Sequence, residues 1–160
     1  MEIRHATLAD VPEIRRLEVQ ASTAAHWSAA QYDALFADNA PPRIVLIAKN
    51  DDRDCNDVEV VGFLIARCLA SEWEIENIVV ADDRKRGGIG MALVRRLLSE
   101  AEAASVTAII LEVRESNEGA RRLYESIGFT SEGRRRAYYR EPAEDAIVYR
   151  RALQFCDKIP

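Results

Sequence analysis

The segment at residues 77–91 constrains the fold most strongly, because a short strand, a basic glycine-rich turn and the start of a helix follow one another there. Backbone N–H groups in the first turn of a helix have no intrahelical partners and lie at the positive end of the helix dipole. Gly87, Gly88 and Gly90 lack a β-carbon, so a pyrophosphate can approach these groups closely, and the basic residues 84–86 add charge. A plain tight turn requires one glycine, whereas three of four consecutive residues are glycine here. The pattern predicts a phosphate site.

This turn lacks the residues that two common phosphate-binding motifs need. A nucleoside-triphosphate P-loop ends in Gly-Lys-Ser/Thr, whereas Met91 and Ala92 follow Gly90 in this chain. A dinucleotide-binding fingerprint follows the first strand and has a third Gly or Ala three residues after Gly90, where Leu93 stands. Both motifs are excluded, so the phosphate ligand belongs to another class.

The length and composition predict one ordinary domain. The chain has 160 residues and a mass of 18.0 kDa, and 48% of the residues are hydrophobic. Compact domains most often contain about 100–150 residues, and this apolar fraction is enough for a core. We therefore predict a single domain over residues 1–160. The net charge of −5 argues against nucleic acid or an anionic membrane as the partner of the whole molecule.

The cysteines, histidines and apolar runs predict the compartment. No apolar run approaches the roughly 18–20 residues that span a bilayer, and the amino terminus lacks the apolar core of a secretion signal. Cys55, Cys68 and Cys156 are odd in number and widely spaced, which suits a reducing compartment. With only His5 and His26 present, no zinc site is expected. The sequence predicts a cytoplasmic protein without a metal.

Hydrophobic periodicity predicts about seven strands and four helices. Ile89, Leu93, Leu97 and Ala101 recur every four residues, which indicates a helix that ends near residue 104. The strands predicted at 43–48, 59–69 and 73–80 have short connections, including a polar loop at 50–57, and short connections favour antiparallel pairing. Further strands are predicted at 2–6, 107–113, 129–139 and 146–153. The expected fold class is α/β (α+β) with a mixed, mostly antiparallel sheet.

Capping residues mark where the other helices begin and end. Asp10 or Thr7 can cap the first helix, and Ser28 can cap a second one that runs through residue 35. Asn117 can cap the last helix, and Gly128 suits the left-handed position that ends it.

Five blocks of sequence, in the correct order, carry a resemblance to a known family. They are Asn-Ile-Val-Val at 77–80, Gly-Gly-Ile-Gly at 87–90, Leu-Glu-Val-Arg-Glu-Ser-Asn at 111–117, Leu-Tyr-Glu-Ser-Ile-Gly-Phe at 123–129, and Arg-Arg-Ala-Tyr-Tyr at 135–139 followed by Glu-Asp-Ala at 144–146. The chain resembles the GNAT acetyltransferases, and most closely the bacterial ribosomal-protein alanine N-acetyltransferases of the RimI type. The match is tight over about half of the chain. Lys85 departs from the Gln or Arg that usually opens the phosphate motif, so the bidentate fork of arginine is missing.

The resemblance implies acetyl-CoA as cofactor and a GNAT fold, in which a central pair of strands, at 78–80 and 107–113, splays apart to admit the pantetheine arm. Asn117 is also explained as a plain helix cap. The residues implied in cofactor binding are Ile78, Val79, Val80, Lys85, Arg86, Gly87, Gly88, Ile89, Gly90, Met91 and Asn117.

The resemblance also implies two catalytic residues, Glu112 as general base and Tyr124 as general acid. Glu112 interrupts an apolar strand, and from the residues alone an ion pair with Arg114 on the same strand face explains it equally well. Tyr124 has helical spacing with Ala120, Leu123 and Ile127, so the pattern by itself indicates an ordinary core position.

The acceptor implied by the resemblance is a protein amino terminus, with the first residue of an alanine-starting ribosomal protein as the expected substrate. Trp27, Tyr138 and Tyr139 are the residues expected to contact it, although the two tyrosines can also be a simple strand-end pair. The acidic pair at 144–145 is expected near the mouth of this site, where it would favour a basic residue early in the peptide. Two other functions compete, a GNAT enzyme for a small amine and a catalytically silent acetyl-CoA-binding module.

Overall fold

The computed structural model describes residues 1–21, 27–37, 40–50 and 59–153. Within these ranges it contains seven strands and four helices. They are β1 (Glu2–His5), α1 (Val11–Gln20), α2 (Ala29–Asp33), β2 (Arg43–Asn50), β3 (Glu59–Leu69), β4 (Glu72–Val80), α3 (Ile89–Ala103), β5 (Ala108–Arg114), α4 (Glu118–Ser126), β6 (Thr130–Arg140) and β7 (Ala143–Ala152). The loop predicted at 50–57 lies outside the described residues from position 51 onward, as do His26, Cys55 and Cys156.

The seven strands form one sheet in the order β1-β2-β3-β4-β5-β7-β6. Every neighbouring pair is antiparallel except β4 and β5, which run parallel on either side of the connection through α3. This confirms the predicted fold class, and most of the predicted boundaries lie within one to three residues of those observed. No helix in the described part of the chain is both long and apolar enough to cross a membrane.

The parallel pair separates after four residues, which confirms the predicted splay. β4 and β5 pair from Glu72 with Ala108 up to Ile75 with Leu111, and no pairing continues beyond that point. On the other side of β4, Ile65 of β3 pairs with Asn77 while Ala66 pairs with Ile75, so Glu76 is an extra residue in a β-bulge. A bulge bends its strand, so β4 turns away from β5 at Glu112, the first residue of β5 that pairs with β7 but not with β4.

The sheet carries helices on both faces. Alternate residues of a strand point to opposite faces, and Phe63 packs in the cluster with Ile14 of α1 and Tyr32 of α2, whereas Leu64 packs in the cluster with Leu93 of α3. The splay between β4 and β5 therefore has helices on either face of the sheet.

Most predicted caps are present. Ser28 forms a capping box with Gln31, Asn117 caps α4, and Gly128 adopts a φ of 86° after that helix. Asp10 differs from the prediction, because its carboxylate makes no cap bond to α1. It accepts hydrogen bonds from the Thr7 N–H at 2.8 Å and from the Arg4 guanidinium at 2.7 Å, and the bond from Arg4 holds the pKa of Asp10 far below its usual range.

Candidate active site

The glycine-rich turn leads directly into α3. Gly88 is the residue before the helix, with a φ of 81°, and a β-carbon added there would meet no atom within 4 Å. Arg86 is also left-handed, with a φ of 64°. A β-carbon on Gly90 would lie 3.2 Å from Leu123 Cδ1, so this glycine allows α4 to approach α3 closely. The turn therefore presents an open surface in front of the helix.

Acidic neighbours pair with two of the basic residues beside this turn. The Lys85 ammonium lies 2.6 Å from Asp82, and the Arg84 guanidinium lies 3.3 Å from Asp83. All four side chains are well exposed, so these ion pairs contribute little to stability and can exchange for an anionic ligand.

A groove of about 500 Å³ runs from this turn along β4 toward the start of α4. All but one of the residues predicted to bind the cofactor line it, the exception being Gly87. A β-carbon on Gly87 would lie 3.2 Å from the Arg84 carbonyl oxygen, so this glycine shapes the turn itself. Arg84, predicted only as an added charge beside the turn, lines the groove as well. The groove residues that were not predicted from the sequence are Ala21, Gly119, Ala120, Arg122 and Leu123.

Three of the predicted cofactor residues also have structural roles. The side chains of Val79 and Ile89 are buried in the two hydrophobic clusters, so mainly the backbone atoms of these residues can contact a ligand. The Asn117 Oδ1 accepts a hydrogen bond from the Ala120 N–H at 3.2 Å. Asn117 is thus a helix cap and a groove residue at once, and the two explanations of this residue are compatible.

A second groove, of about 620 Å³, approaches the splay from the side of α2. It brings together the three predicted acceptor residues, Trp27, Tyr138 and Tyr139, with Glu112. The sequence analysis missed the other residues that line it, because they come from separate elements and belong to no motif. They are Gln31, Ala34, Ala40, Pro41, Arg43, Glu74, Ile75 and Glu76.

A buried carboxylate fixes the Trp27 end of this second groove. Glu18 is 2% exposed and accepts hydrogen bonds from the Trp27 N–H at 3.0 Å and from the Asn77 side-chain amide at 2.8 Å. The Arg43 guanidinium lies 5.6 Å from the centre of the Trp27 ring, within the range of a cation–π contact. Trp27 is thereby tied to β4 beside the splay.

A small cavity of about 110 Å³ lies at the splay between the two grooves. It shares Glu112 and Tyr139 with the groove on the α2 side, and Asn117 and Tyr124 with the groove beside α3. Because of these shared residues, the three spaces adjoin one another at the splay, and together they are called the passage. Glu112 and Tyr124, the two predicted catalytic residues, both line the small cavity.

Glu112 pairs with an arginine, although not with Arg114. Its side chain is 14% exposed, and a carboxylate oxygen lies 2.6 Å from the Arg135 Nε. Arg114 instead lies 3.4 Å from Glu144 and packs against the Tyr139 ring, with 4.0 Å between the guanidinium carbon and the ring centre. The alternative explanation of Glu112 as a partner of Arg114 is therefore wrong. Arg135 lies in a run of three arginines at 134–136, and nothing in the sequence distinguishes it from the other two.

Tyr124 is 3% exposed and packs with its ring centre 5.7 Å from that of Phe129 and 6.2 Å from that of Tyr149. The core position that helical spacing predicts is thus observed, and the residue also lines the cavity at the splay. Burial raises the pKa of the Tyr124 hydroxyl well above its usual range, with a smaller contribution from Tyr139. The phenol therefore stays protonated through the neutral pH range.

Tyr138 and Tyr139 meet edge to face, with 5.2 Å between their ring centres. Tyr138 is 49% exposed, and its interaction with the Glu112 carboxylate, together with burial, raises the pKa of Tyr138 to about 12. Burial also raises the pKa of Tyr139. The two rings form a wall beside Glu112.

The acidic pair at 144–145, expected near the mouth of the acceptor site, is held by contacts within the protein. Glu144 accepts a hydrogen bond from the Ser116 N–H and pairs with Arg114, and these contacts hold the pKa of Glu144 below its usual range. Asp145 binds the Arg134 side chain and the Ala137 N–H. Neither residue lines the groove on the α2 side, where Glu74, Glu76 and Glu112 are the carboxylates. The expected preference for basic peptides therefore has no support from Glu144 and Asp145.

Curated relatives of the chain are N-acetyltransferases. The [ribosomal protein bS18]-alanine N-acetyltransferase of Escherichia coli (strain K12) is 40% identical over 92 residues, 56% of this chain and 62% of the relative, so the match spans less than two thirds of that relative's length. The protein of the same name from Salmonella typhimurium (strain LT2) is 34% identical over 141 residues, 87% of this chain and 88% of the relative.

Solved structures share the whole fold. The crystal structure of the ribosomal-protein-S18-alanine N-acetyltransferase from Escherichia coli has a TM-score of 0.82 and 27% identity, and the match covers 99% of this chain and 97% of that chain. Arabidopsis thaliana NAA60 in complex with acetyl-CoA has a TM-score of 0.84 at 16% identity over 95% of this chain and 98% of that chain, which shows a common fold. Residues 11–129 match the family described as the Acetyltransferase (GNAT) family, and the chain belongs to that family.

Proposed function

We propose that this protein transfers the acetyl group of acetyl-CoA to the N-terminal α-amine of a protein, with an alanine-starting ribosomal protein as acceptor. The observation that carries the proposal is the passage, in which two grooves adjoin one cavity lined by Glu112 and Tyr124. Relatives that are 34–40% identical are named ribosomal protein bS18-alanine N-acetyltransferases, which supports this acceptor. A ribosomal acceptor implies that the reaction takes place in the cytoplasm.

The groove beside α3 fits the chemistry of acetyl-CoA. Its outer end is the basic turn with Gly88, whose missing β-carbon leaves the N-terminus of α3 open to a pyrophosphate. Its inner wall is the end of β4, residues 78–80, which has no pairing with β5 and so can pair with the amides of a pantetheine arm. Asn117 lies where this groove meets the central cavity. The thioester would then lie near Tyr124.

The groove on the α2 side fits an extended peptide. Trp27, Tyr138 and Tyr139 line it, and Glu112 belongs both to this groove and to the small cavity at the splay. An amino terminus can reach Glu112 along such a groove, whereas a lysine in the middle of a chain would have to bring both flanking segments past the aromatic walls. The described residues share one sheet, which supports a single acetyltransferase domain over residues 1–160.

Glu112 is placed to accept the proton of the attacking amine. An α-amine has a reference pKa of about 7.7–8.0 and a lysine about 10.4, so loss of a proton at pH 7 costs roughly 1 kcal/mol for the α-amine and roughly 4–5 kcal/mol for lysine. A modest base is therefore enough for the α-amine. The neutral nitrogen then forms a bond to the acetyl carbonyl carbon and loses its second proton as the carbon–sulfur bond breaks. Glu112 passes each released proton to solvent directly or through a water molecule.

Tyr124 also lines this cavity, which supports it as the donor to the departing thiolate. When the carbon–sulfur bond breaks, its electron pair stays on sulfur, and a phenol hydroxyl can donate a hydrogen bond to that charge and supply the proton. Tyr124 then regains a proton from solvent, so the exchange balances. Its raised pKa keeps the hydroxyl protonated before each turnover.

A peptide panel tests the acceptor. We expect release of free thiol from acetyl-CoA with a peptide that begins Ala-Arg and has a free α-amine, and no release above background when the same peptide carries a blocked α-amine. A peptide with a blocked terminus and an internal lysine is expected to be at least about tenfold slower. Equal rates for free and blocked peptides would contradict the proposal. Turnover only with small amines would show an acetyltransferase whose acceptor is a small amine and not a protein amino terminus.

Substitution of Gly88 tests the cofactor groove. Asn tolerates a left-handed backbone, so Gly88→Asn should fold, while its side chain enters the space in front of α3. We expect acetyl-CoA affinity to fall by about tenfold or more in calorimetry. Gly128 has a similar φ of 86° and lies outside this groove, so Gly128→Asn is the matched control and should bind normally. Normal affinity in folded Gly88→Asn would reject the pyrophosphate site.

A further inference from the structure

The strand that carries the two tyrosines contains an unusually large bulge. Arg135 of β6 pairs with Ala146 of β7, and the next pair is Tyr139 with Glu144. Three residues of β6, at positions 136–138, therefore lie opposite a single residue of β7, Asp145. At the centre of the bulge Ala137 has a φ of 48°, a left-handed conformation that a residue with a β-carbon adopts only at a cost in free energy.

The bulge explains how both tyrosines reach the same groove. Successive residues of a regular strand point to opposite faces of the sheet, so only one of Tyr138 and Tyr139 could face the acceptor groove without it. Both rings line that groove and touch each other edge to face. Arg135, at the start of the bulge, places its guanidinium 2.6 Å from Glu112 and 5.7 Å from the centre of the Tyr138 ring.

Asp145 makes the contacts that hold the bulge in this shape. One carboxylate oxygen accepts a hydrogen bond from the Ala137 N–H at 2.8 Å, and the other accepts one from Arg134 at 3.3 Å. Arg134 also pairs with Glu115, and the Glu115 N–H donates to the Asp145 carbonyl oxygen at 3.1 Å. Through Arg134, the side chain thus joins the strained residue to Glu115, which directly follows Arg114, the last residue of β5.

We infer that Asp145 is a positioning residue for the acceptor: by binding the Ala137 N–H it fixes the β6 bulge that places Tyr138 against Arg135 and Glu112. The inference rests on the proposed function, because the groove that Tyr138 and Glu112 line is the one assigned to the peptide. Asp145 itself does not line that groove, and it touches neither of the assigned catalytic residues. Its effect therefore passes entirely through the shape of the hairpin.

Kinetics of Asp145 variants test this role. We expect Asp145→Ala to raise KM for the free-amine peptide by about tenfold, in line with the loss of one hydrogen bond to a charged group, while kcat changes less. The Kd for acetyl-CoA should not change, because the groove beside α3 has no residue from the hairpin. Asp145→Asn keeps an oxygen that can accept from Ala137 and should lose less than Asp145→Ala. An unchanged peptide KM in Asp145→Ala, or an equal weakening of acetyl-CoA, would overturn the inference.

A second substitution separates positioning from general damage. Gly adopts a positive φ without strain, so Ala137→Gly combined with Asp145→Ala should restore part of the lost peptide affinity. If the double variant is no better than Asp145→Ala, the bulge is not what Asp145 controls. Should Asp145→Ala fail to fold, Asp145→Ser, whose side chain is one bond too short, gives the same comparison.

The titration of Tyr138 tests the positioning without any acceptor. Tyr138 faces Glu112, Arg135 and Tyr139, and its pKa of about 12 depends first on Glu112. In Asp145→Ala we expect the pKa of Tyr138 to fall toward 10. NMR of labelled tyrosine follows this pKa, and the Tyr138→Phe variant assigns the signal. If the pKa of Tyr138 falls but the protein acetylates no peptide, the positioning role of Asp145 stands and the proposed function is rejected. An unchanged pKa would reject the positioning whatever the acceptor.

Discussion

Replacement of Tyr124 by Phe is expected to lower kcat by about 100-fold or more, with acetyl-CoA affinity nearly unchanged. The substitution removes only the hydroxyl, so the ring keeps its packing against Phe129 and Tyr149. What is lost is the one donor that this residue presents to the central cavity, at the point where negative charge develops on the departing sulfur. Steady-state kinetics with a free-amine peptide, together with calorimetry of acetyl-CoA, measure both quantities.

Tyr149→Phe is the matched control for this experiment. Tyr149 lies in the same aromatic cluster, but its hydroxyl donates to Glu125 at 2.5 Å and lies outside the three spaces of the passage. Its loss should affect stability more than kcat. Full activity of Tyr124→Phe across the pH range, or an equal loss in Tyr149→Phe, would remove Tyr124 from the mechanism.

Replacement of Glu112 by Gln is expected to reduce kcat/KM on the order of 100-fold near pH 6.5 and by much less near pH 9. The reason for this sign is the acceptor: below its pKa of about 7.7–8.0 the α-amine carries a proton that a base must remove, and above it the neutral amine is already abundant. A pH profile of kcat/KM for both proteins, with one free-amine peptide, measures the recovery.

The control for Glu112→Gln is Glu72→Gln. Glu72 is also a strand carboxylate held by an arginine, with Arg150 at 2.6 Å, and it lies outside the passage. The control should keep the wild-type profile. A loss in Glu112→Gln that is the same at every pH would show that the carboxylate holds structure, through its ion pair with Arg135, and is not the base.

The sequence predicts much of the fold because local patterns dominate it. The helical repeat of Ile89, Leu93 and Leu97 and the alternation along the strands place each element within a few residues of its observed position. The left-handed Gly88 and Gly128 are likewise local features. No local pattern shows the splay between β4 and β5, which was predicted only from the resemblance to the family.

The parts of the site that the sequence does not predict depend on contacts between distant elements. Arg135 reaches Glu112 from another strand, β6, and nothing in a run of three arginines marks the middle one. The buried Glu18 is similar, since its partners Trp27 and Asn77 come from a loop and from another strand. The ion pairs of Glu144 and Asp145 are similar, because their partners Arg114 and Arg134 are 30 and 11 residues away along the chain.

The central claim is that acetyl-CoA and an amino terminus meet inside the sheet, from opposite sides, at the cavity between Glu112 and Tyr124. A conjugate in which the sulfur of coenzyme A is joined through an acetyl bridge to the α-nitrogen of an Ala-Arg peptide should fill both grooves at once. We expect calorimetry to show that it binds at least about 100-fold tighter than acetyl-CoA, because the second contact becomes intramolecular. The same conjugate linked through a lysine side chain is the comparison. Equal affinity of the two conjugates, or no gain over acetyl-CoA, would contradict the account.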